Sequence, residues 1–133
     1  MKTRPLGDGE LSVLKALWEL GKSPVKDVLE HLNAEGKNLA YNTVQTVLVR
    51  LVEKELVACD RSAPVHRFKA VVGRERFRRD RVRELVSKIY DGNAGALACQ
   101  LVKQGRLKDG EIEQLQSMLN ELATKKKRSG KSR

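Results

Sequence analysis

The sequence predicts a mainly α-helical chain: three helices and a β-hairpin at the N-terminal end, then three more helices. Three observations predict it. Between Asp8 and Lys54 the apolar residues recur at helical spacing, interrupted at Gly21, Ser23-Pro24 and Gly36. From Leu56 to Val71 the repeat falls to every second residue around a turn-like Arg61-Ser62-Ala63-Pro64. Beyond Gly73 the helical period returns and runs to Leu122. Aromatic residues make up only 4% of the 133, which favours packed helices over an aromatic-rich sheet.

The first six residues read as a short basic leader with frayed ends. Gly7 or Asp8 can begin the first helix, with Glu10 in the first turn, where the helix dipole favours an acid. Leu11, Leu14, Leu17 and Trp18 form its inner stripe, and Gly21 stops it. Ser23-Pro24 reads as a restart, Ser as N-cap and Pro at the first helical position. Val25, Val28, Leu29 and Leu32 then make the stripe of a second, short helix. Asn33 to Ala40 is a polar connection.

The third helix, from about Tyr41 to Lys54, organises the rest. Val44, Val47, Leu48 and Leu51 fall on one stripe. Its other face offers Asn42, Thr43, Gln45, Thr46 and Arg50, small or planar donors and acceptors rather than solubilising Lys/Glu pairs. Such side chains can pair with base edges in a DNA major groove, and Thr methyls can touch thymine methyls. Read alone, the face also suits a core helix with a mixed polar side. The hairpin that follows, Leu56–Asp60 and Val65–Val71, tips the balance. Three helices and a hairpin make the winged variant of the helix-turn-helix, in which the third helix enters the major groove and the hairpin lies over phosphates. Arg61, His66 and Arg67 stand where such a wing needs cations. Tyr41 and Ser23, at helix starts, are further candidates for phosphate contact, each with a packing or capping role as the alternative.

Gly73 to Asp91 is predicted as one long helix, with Phe77, Leu85, Val86, Ile89 and Tyr90 apolar and six arginines crowding its first half. Those arginines are expected to pair mostly within the helix or face solvent. Asn93 can cap a fifth helix bearing Leu97 and Leu101; Asp109 can cap a sixth bearing Ile112, Leu115, Met118, Leu119 and Leu122. Three helices of this size bury too little surface to form a core of their own, so their apolar faces need a partner, most economically a second copy of the chain. The domains expected are 1–72 for DNA binding, 73–124 for dimerisation and 125–133 as a disordered basic tail. Phe77, Leu85, Ile89, Tyr90, Leu97, Leu101, Ile112, Leu115 and Leu119 are the expected dimerisation residues.

Charge supports this less than it first suggests. The net charge is +10, which favours a polyanionic partner, yet residues 1–72 carry only +2. The last nine residues carry six basic side chains and no acidic ones. No secretory apolar region follows Met1 and no run reaches membrane-spanning length, so a cytoplasmic chain without membrane contact is expected. Cys59 and Cys99 stand singly, without a CxxC pattern, and read as reduced thiols. His31 and His66 are the only histidines and lack a neighbouring nucleophile or ligand pattern. No enzyme, cofactor or metal site is expected. The alternative function is a winged-helix protein-interaction module without sequence-specific DNA binding; a docking helix of that kind would show exposed Leu, Phe or Tyr.

At the level of motifs the chain resembles the penicillinase repressor family of bacterial transcription regulators. The resemblance rests on GELSVLKALWELG, SPVKDVLEHL, LAYNTVQTVLVRLVEKELV, the RFKAVVGRERFRRDRVRELVSKIYDGNAGAL run and LKDGEIEQLQSML, in order across residues 6–122. It implies an N-terminal winged helix, a C-terminal helical dimerisation region, and repression through palindromic operators near TACA/TGTA elements. It also implies base contacts from the third helix, here Asn42, Thr43, Gln45, Thr46 and Arg50. A sensor protease is a candidate partner, although the Asn-Phe bond cut in such repressors aligns with Gln100-Leu101. The thiolate cluster of the copper-responsive branch is absent, and Ala63-Pro64 replaces the Gly-Arg of many wing tips.

Overall fold

In a computed structural model, which describes residues 6–130, the chain divides into two compact units, the first ending at Arg81 and the second beginning at Val82. The first unit holds α1 (Asp8–Leu20), β1 (Ser23–Pro24), α2 (Val25–Ala34), α3 (Tyr41–Glu53), β2 (Val57–Asp60), β3 (Arg67–Ala70) and the start of α4 (Arg74–Ile89). The second holds the rest of α4, α5 (Ala94–Lys103) and α6 (Asp109–Gly130). The predicted leader lies mostly outside the described residues, which begin at Leu6.

The first unit is built on one core. Val13, Leu14, Ala16 and Leu17 of α1 meet Val25, Val28 and Leu32 of α2 and Val44, Leu48 and Leu51 of α3, closed by Val57, Phe68 and Phe77. Three local devices fix how α3 leaves this core. Asn33 clamps the turn before it: its side chain donates to the Leu39 carbonyl at 3.1 Å and accepts the Leu39 N–H at 2.6 Å. At the far end Glu55 takes φ 65°, the left-handed conformation that ends a helix sharply, and Leu56 N–H closes back on the Leu51 carbonyl at 3.0 Å. Lys54 then reaches α1: its Nζ lies 2.6 Å from Glu10 Oε1, both side chains being only 12% exposed. The same Oε1 accepts the Gly7 N–H at 3.0 Å, so one carboxylate both starts α1 and anchors the end of α3.

Ser23-Pro24 behaves differently from the expectation. The pair forms β1, antiparallel to β3 with Ser23 opposite Phe68 and Pro24 opposite Arg67, and Pro24 rather than Ser23 is the N-cap of α2. The hairpin is therefore part of a three-stranded sheet in the order β1-β3-β2. Its β2–β3 register runs from Val57 opposite Ala70 to Asp60 opposite Arg67. The third strand was not predicted, because a two-residue strand exists only through its distant partner.

The boundary between units lies inside α4 and not at residue 72. The reason is aromatic. Phe77 is 7% exposed and meets Trp18 edge to face at 5.4 Å between centroids, while Trp18 Nε1 donates to the Val72 carbonyl at 2.9 Å. Arg74 stacks over Trp18 and Arg81 over Phe77. Phe77 is thus a core residue of the first unit, a correction to its expected place in a dimer interface.

The second unit has the opposite character: no described side chain from Val82 to Arg128 is buried. Asn93 caps α5 as expected, accepting the Ala96 N–H at 3.0 Å. Asp109 is the first residue of α6 rather than its cap, and Glu111 instead takes the Lys108 N–H at 2.9 Å. The helix continues through Gly130, which corrects the expected disorder over Lys125–Gly130; residues 131–133 lie outside the described residues. Cations at a helix C-terminus suit its dipole. No helix among the described residues is long and apolar enough to cross a membrane.

Candidate nucleic-acid interface

The polar set picked out on the third helix shares one surface. Asn42, Thr43, Gln45, Thr46 and Arg50 are all exposed on α3, while Val44, Leu48 and Leu51 on its other side are fully buried. The helix therefore cannot roll without emptying the core. Its first turn carries no acidic residue and its N-cap, Ala40, offers no side-chain bond to the free N–H groups. Neither its cap side chain nor an acid of its own first turn compensates the positive end of its dipole. Tyr41, the first helical residue, is also exposed. One exposed side chain on this helix escaped the sequence reading: Val49, 46% exposed, which sits among the polar residues and not in the apolar stripe. Its signal was present, since it falls outside the period that joins Val44, Leu48 and Leu51.

The wing residues are placed on the hairpin. Arg61 lies in the loop, His66 immediately before β3 and Arg67 at its first position, all exposed. Asp60 at the end of β2 shapes that loop by accepting the Ser62 N–H at 2.9 Å and pairing with Lys22. The Lys22 ammonium, with help from Ser62, holds the Asp60 carboxyl well below the usual carboxylate range. Lys22 also offsets a negative charge beside the cations a wing would present. Ser23 does not join the surface. It is 4% exposed and its hydroxyl donates to the Gly21 carbonyl at 2.9 Å, which turns the side chain into the fold and away from a phosphate.

The other expected sites fall out as follows. Leu85, Ile89, Leu101, Ile112, Leu115 and Leu119 are exposed apolar residues of the second unit, and Tyr90 and Leu97 are half-buried. Among the α4 arginines, Arg78 pairs with Glu75 at 3.3 Å as expected, and Arg74 and Arg81 also lie over aromatic rings. Cys59 is half-buried and Cys99 exposed. Among the described residues, Glu19, His31 and Glu35 bring their potential ligand atoms within 4.8 Å of one another. His31 Nε2 is hydrogen-bonded to Glu19 at 2.7 Å and lies 3.7 Å from Glu35, and the group reads as a surface tie between α1 and α2.

The family model described as "Penicillinase repressor" matches residues 6–121. A penicillinase repressor of Staphylococcus aureus is 21% identical over 116 residues, 87% of this chain and 91% of that protein. A transcriptional regulator BlaI of Mycobacterium tuberculosis is 43% identical over 75 residues, 56% of this chain and 54% of its own length, so that match spans about half of the relative. Among solved structures, the DNA-binding domain of the repressor BlaI aligns with 56% of this chain and 90% of that one, at 25% identity and a TM-score of 0.48. With the family's sequence pattern running across both units, the chain belongs to the penicillinase repressor family.

Proposed function

We propose that this chain is a transcriptional repressor that binds palindromic operator DNA as a homodimer, with α3 of each protomer in a major groove. The observation that carries the reading is the α3 surface: a helix locked by a fully buried stripe, with Asn42, Thr43, Gln45, Thr46 and Arg50 held in solvent. Family membership supports the repressor role. Arg50 is suited to bidentate pairing with guanine, Asn42 and Gln45 to adenine, and the two threonines to either a base edge or a thymine methyl. Tyr41, Arg61, His66 and Arg67 would meet phosphates, fixing register without reading sequence.

A second copy is the natural cover for the second unit, whose Leu85, Ile89, Leu101, Ile112, Leu115 and Leu119 lie in solvent in the single chain. Two-fold pairing would repeat the α3 surface at about 34–36 Å or a multiple of it, which is the spacing of successive major grooves. The same pairing explains why the operator would be palindromic. No catalytic step, cofactor or metal is part of this reading, and the site of action would be the cytoplasm. A sensor protease could relieve repression, at a bond other than the Gln100-Leu101 pair.

The test is gel-shift titration of the full chain on a duplex selected from a random pool, against a scrambled duplex, over a salt series. Selective binding that weakens steeply with salt is expected. Equal affinity for both duplexes at every salt concentration would favour the protein-interaction alternative.

A further inference from the structure

We propose that Val49 is a specificity-determining residue of α3 that recognises the C5-methyl group of a thymine in the operator. The inference rests on the operator-binding reading of α3 and adds to it a contact of a different chemistry.

Val49 has no structural reason to be apolar. At roughly 100° per residue it lies about 130° from the centre of the stripe formed by Val44, Leu48 and Leu51. Val47 and Val52, both half-buried, already extend that stripe on either side. The outermost direction of the helix runs along Asn42, Thr46 and Glu53, and Val49 and Arg50 flank it at roughly 50° on either side. A β-branched side chain is also a poor choice for a solvated helix position, since its rotamers are restricted there while Gln, Lys or Arg fit freely.

Its surroundings select the ligand. On α3 its exposed neighbours Gln45, Thr46, Arg50 and Glu53 are all polar and its one apolar neighbour, Val52, is half-buried against the core, so Val49 is not part of a patch that could seat a protein anchor. Two methyl groups amid donors and acceptors match the major-groove edge of an A·T pair, where an apolar methyl stands beside the O4 acceptor. Thr43 and Thr46 could satisfy several base edges because each has a hydroxyl beside its methyl. Val49 has no such choice. Only an apolar group rewards it, and in the major groove of unmodified DNA that group is the thymine methyl.

The test uses the full chain and the duplex it selects from a random pool. Each thymine is replaced in turn by deoxyuridine, which removes the C5-methyl and leaves the pairing edge unchanged. One thymine in each half-site should weaken wild-type binding about fourfold when replaced, the effect of one buried methyl group. Val49→Ala should lose a similar factor on the thymine duplex and be indifferent to deoxyuridine at that position. Alanine suits an exposed helix site, so the variant should keep the wild-type melting temperature. If Val49→Ala binds the selected duplex like wild type, or keeps every deoxyuridine effect, the Val49 inference fails while operator binding stands. If no sequence is enriched from the pool, the operator reading itself fails and Val49 with it.

Discussion

Glu10→Gln tests how α3 is held. Glu10 Oε1 lies 2.6 Å from Lys54 Nζ, just past the last residue of α3, and 3.0 Å from the Gly7 amide. Glutamine keeps an oxygen for Gly7 but removes the charge opposite Lys54. An exposed ion pair is worth about 0–1 kcal/mol, and breaking a fully buried one costs about 3–5. With both side chains 12% exposed, the expected loss is about 1–2 kcal/mol, or roughly 3–8 °C in melting temperature. The pH dependence is more diagnostic than the size. The hydrogen bond from Lys54, aided by the Gly7 amide and the nearby Lys54 and Arg50 charges, holds the Glu10 carboxyl below its ordinary value of 4.5. A depressed carboxyl contributes stability that is complete above the unfolded value and disappears as pH falls through the folded one. Urea melts of wild type and Glu10→Gln should therefore differ at pH 7 and converge as the solution is acidified below about 4.5. A gap that persists undiminished at pH 3, or no gap at pH 7, would refute the reasoning.

Further predictions concern the core, the wing and the second unit. Leu48→Ala, at a fully buried position, should cost about 3–5 kcal/mol in denaturant melts and abolish operator binding through loss of the α3 frame. Arg61→Ala and Arg67→Ala should weaken binding to all duplexes alike and lower the salt slope by roughly 1 each, measured by titration over a salt series. In the proposed homodimer, Leu115→Glu with Leu119→Glu should shift sedimentation from dimer to monomer while leaving the near-ultraviolet signal of Trp18 intact. A double variant that sediments as wild type would place the dimer contact elsewhere.

What the sequence made legible was whatever its local period controls. The α3 stripe, its opposing polar face, the stop at Gly21 (φ 80°) and the Asn93 cap can all be read within a few residues. What it hid depends on partners far along the chain. Ser23-Pro24 is locally a helix start, and becomes a strand only because Phe68 and Arg67 lie beside it. Phe77 shares a helical spacing with Leu85, yet its ring is drawn to Trp18, and that contact carries the start of α4 into the first unit. Arg74 and Arg81 look like solvated charges until the rings beneath them are placed. Asn33, in a connection read as merely polar, sets the turn that aims α3. The basic end of α6 lacks an apolar period, but extending an existing helix costs far less than nucleating one. Val49 belongs with the legible part, because it falls outside the period that joins Val44, Leu48 and Leu51.

Arg50 offers the most direct measurement of whether the exposed α3 face reads DNA. The affinity of Arg50→Ala should be compared with wild type on the selected duplex and on every single-base variant of it. The account predicts a loss of about 1–3 kcal/mol on the selected duplex and relaxed preference at one position in each half-site. Wild-type affinity and unchanged preference across the whole set would contradict it.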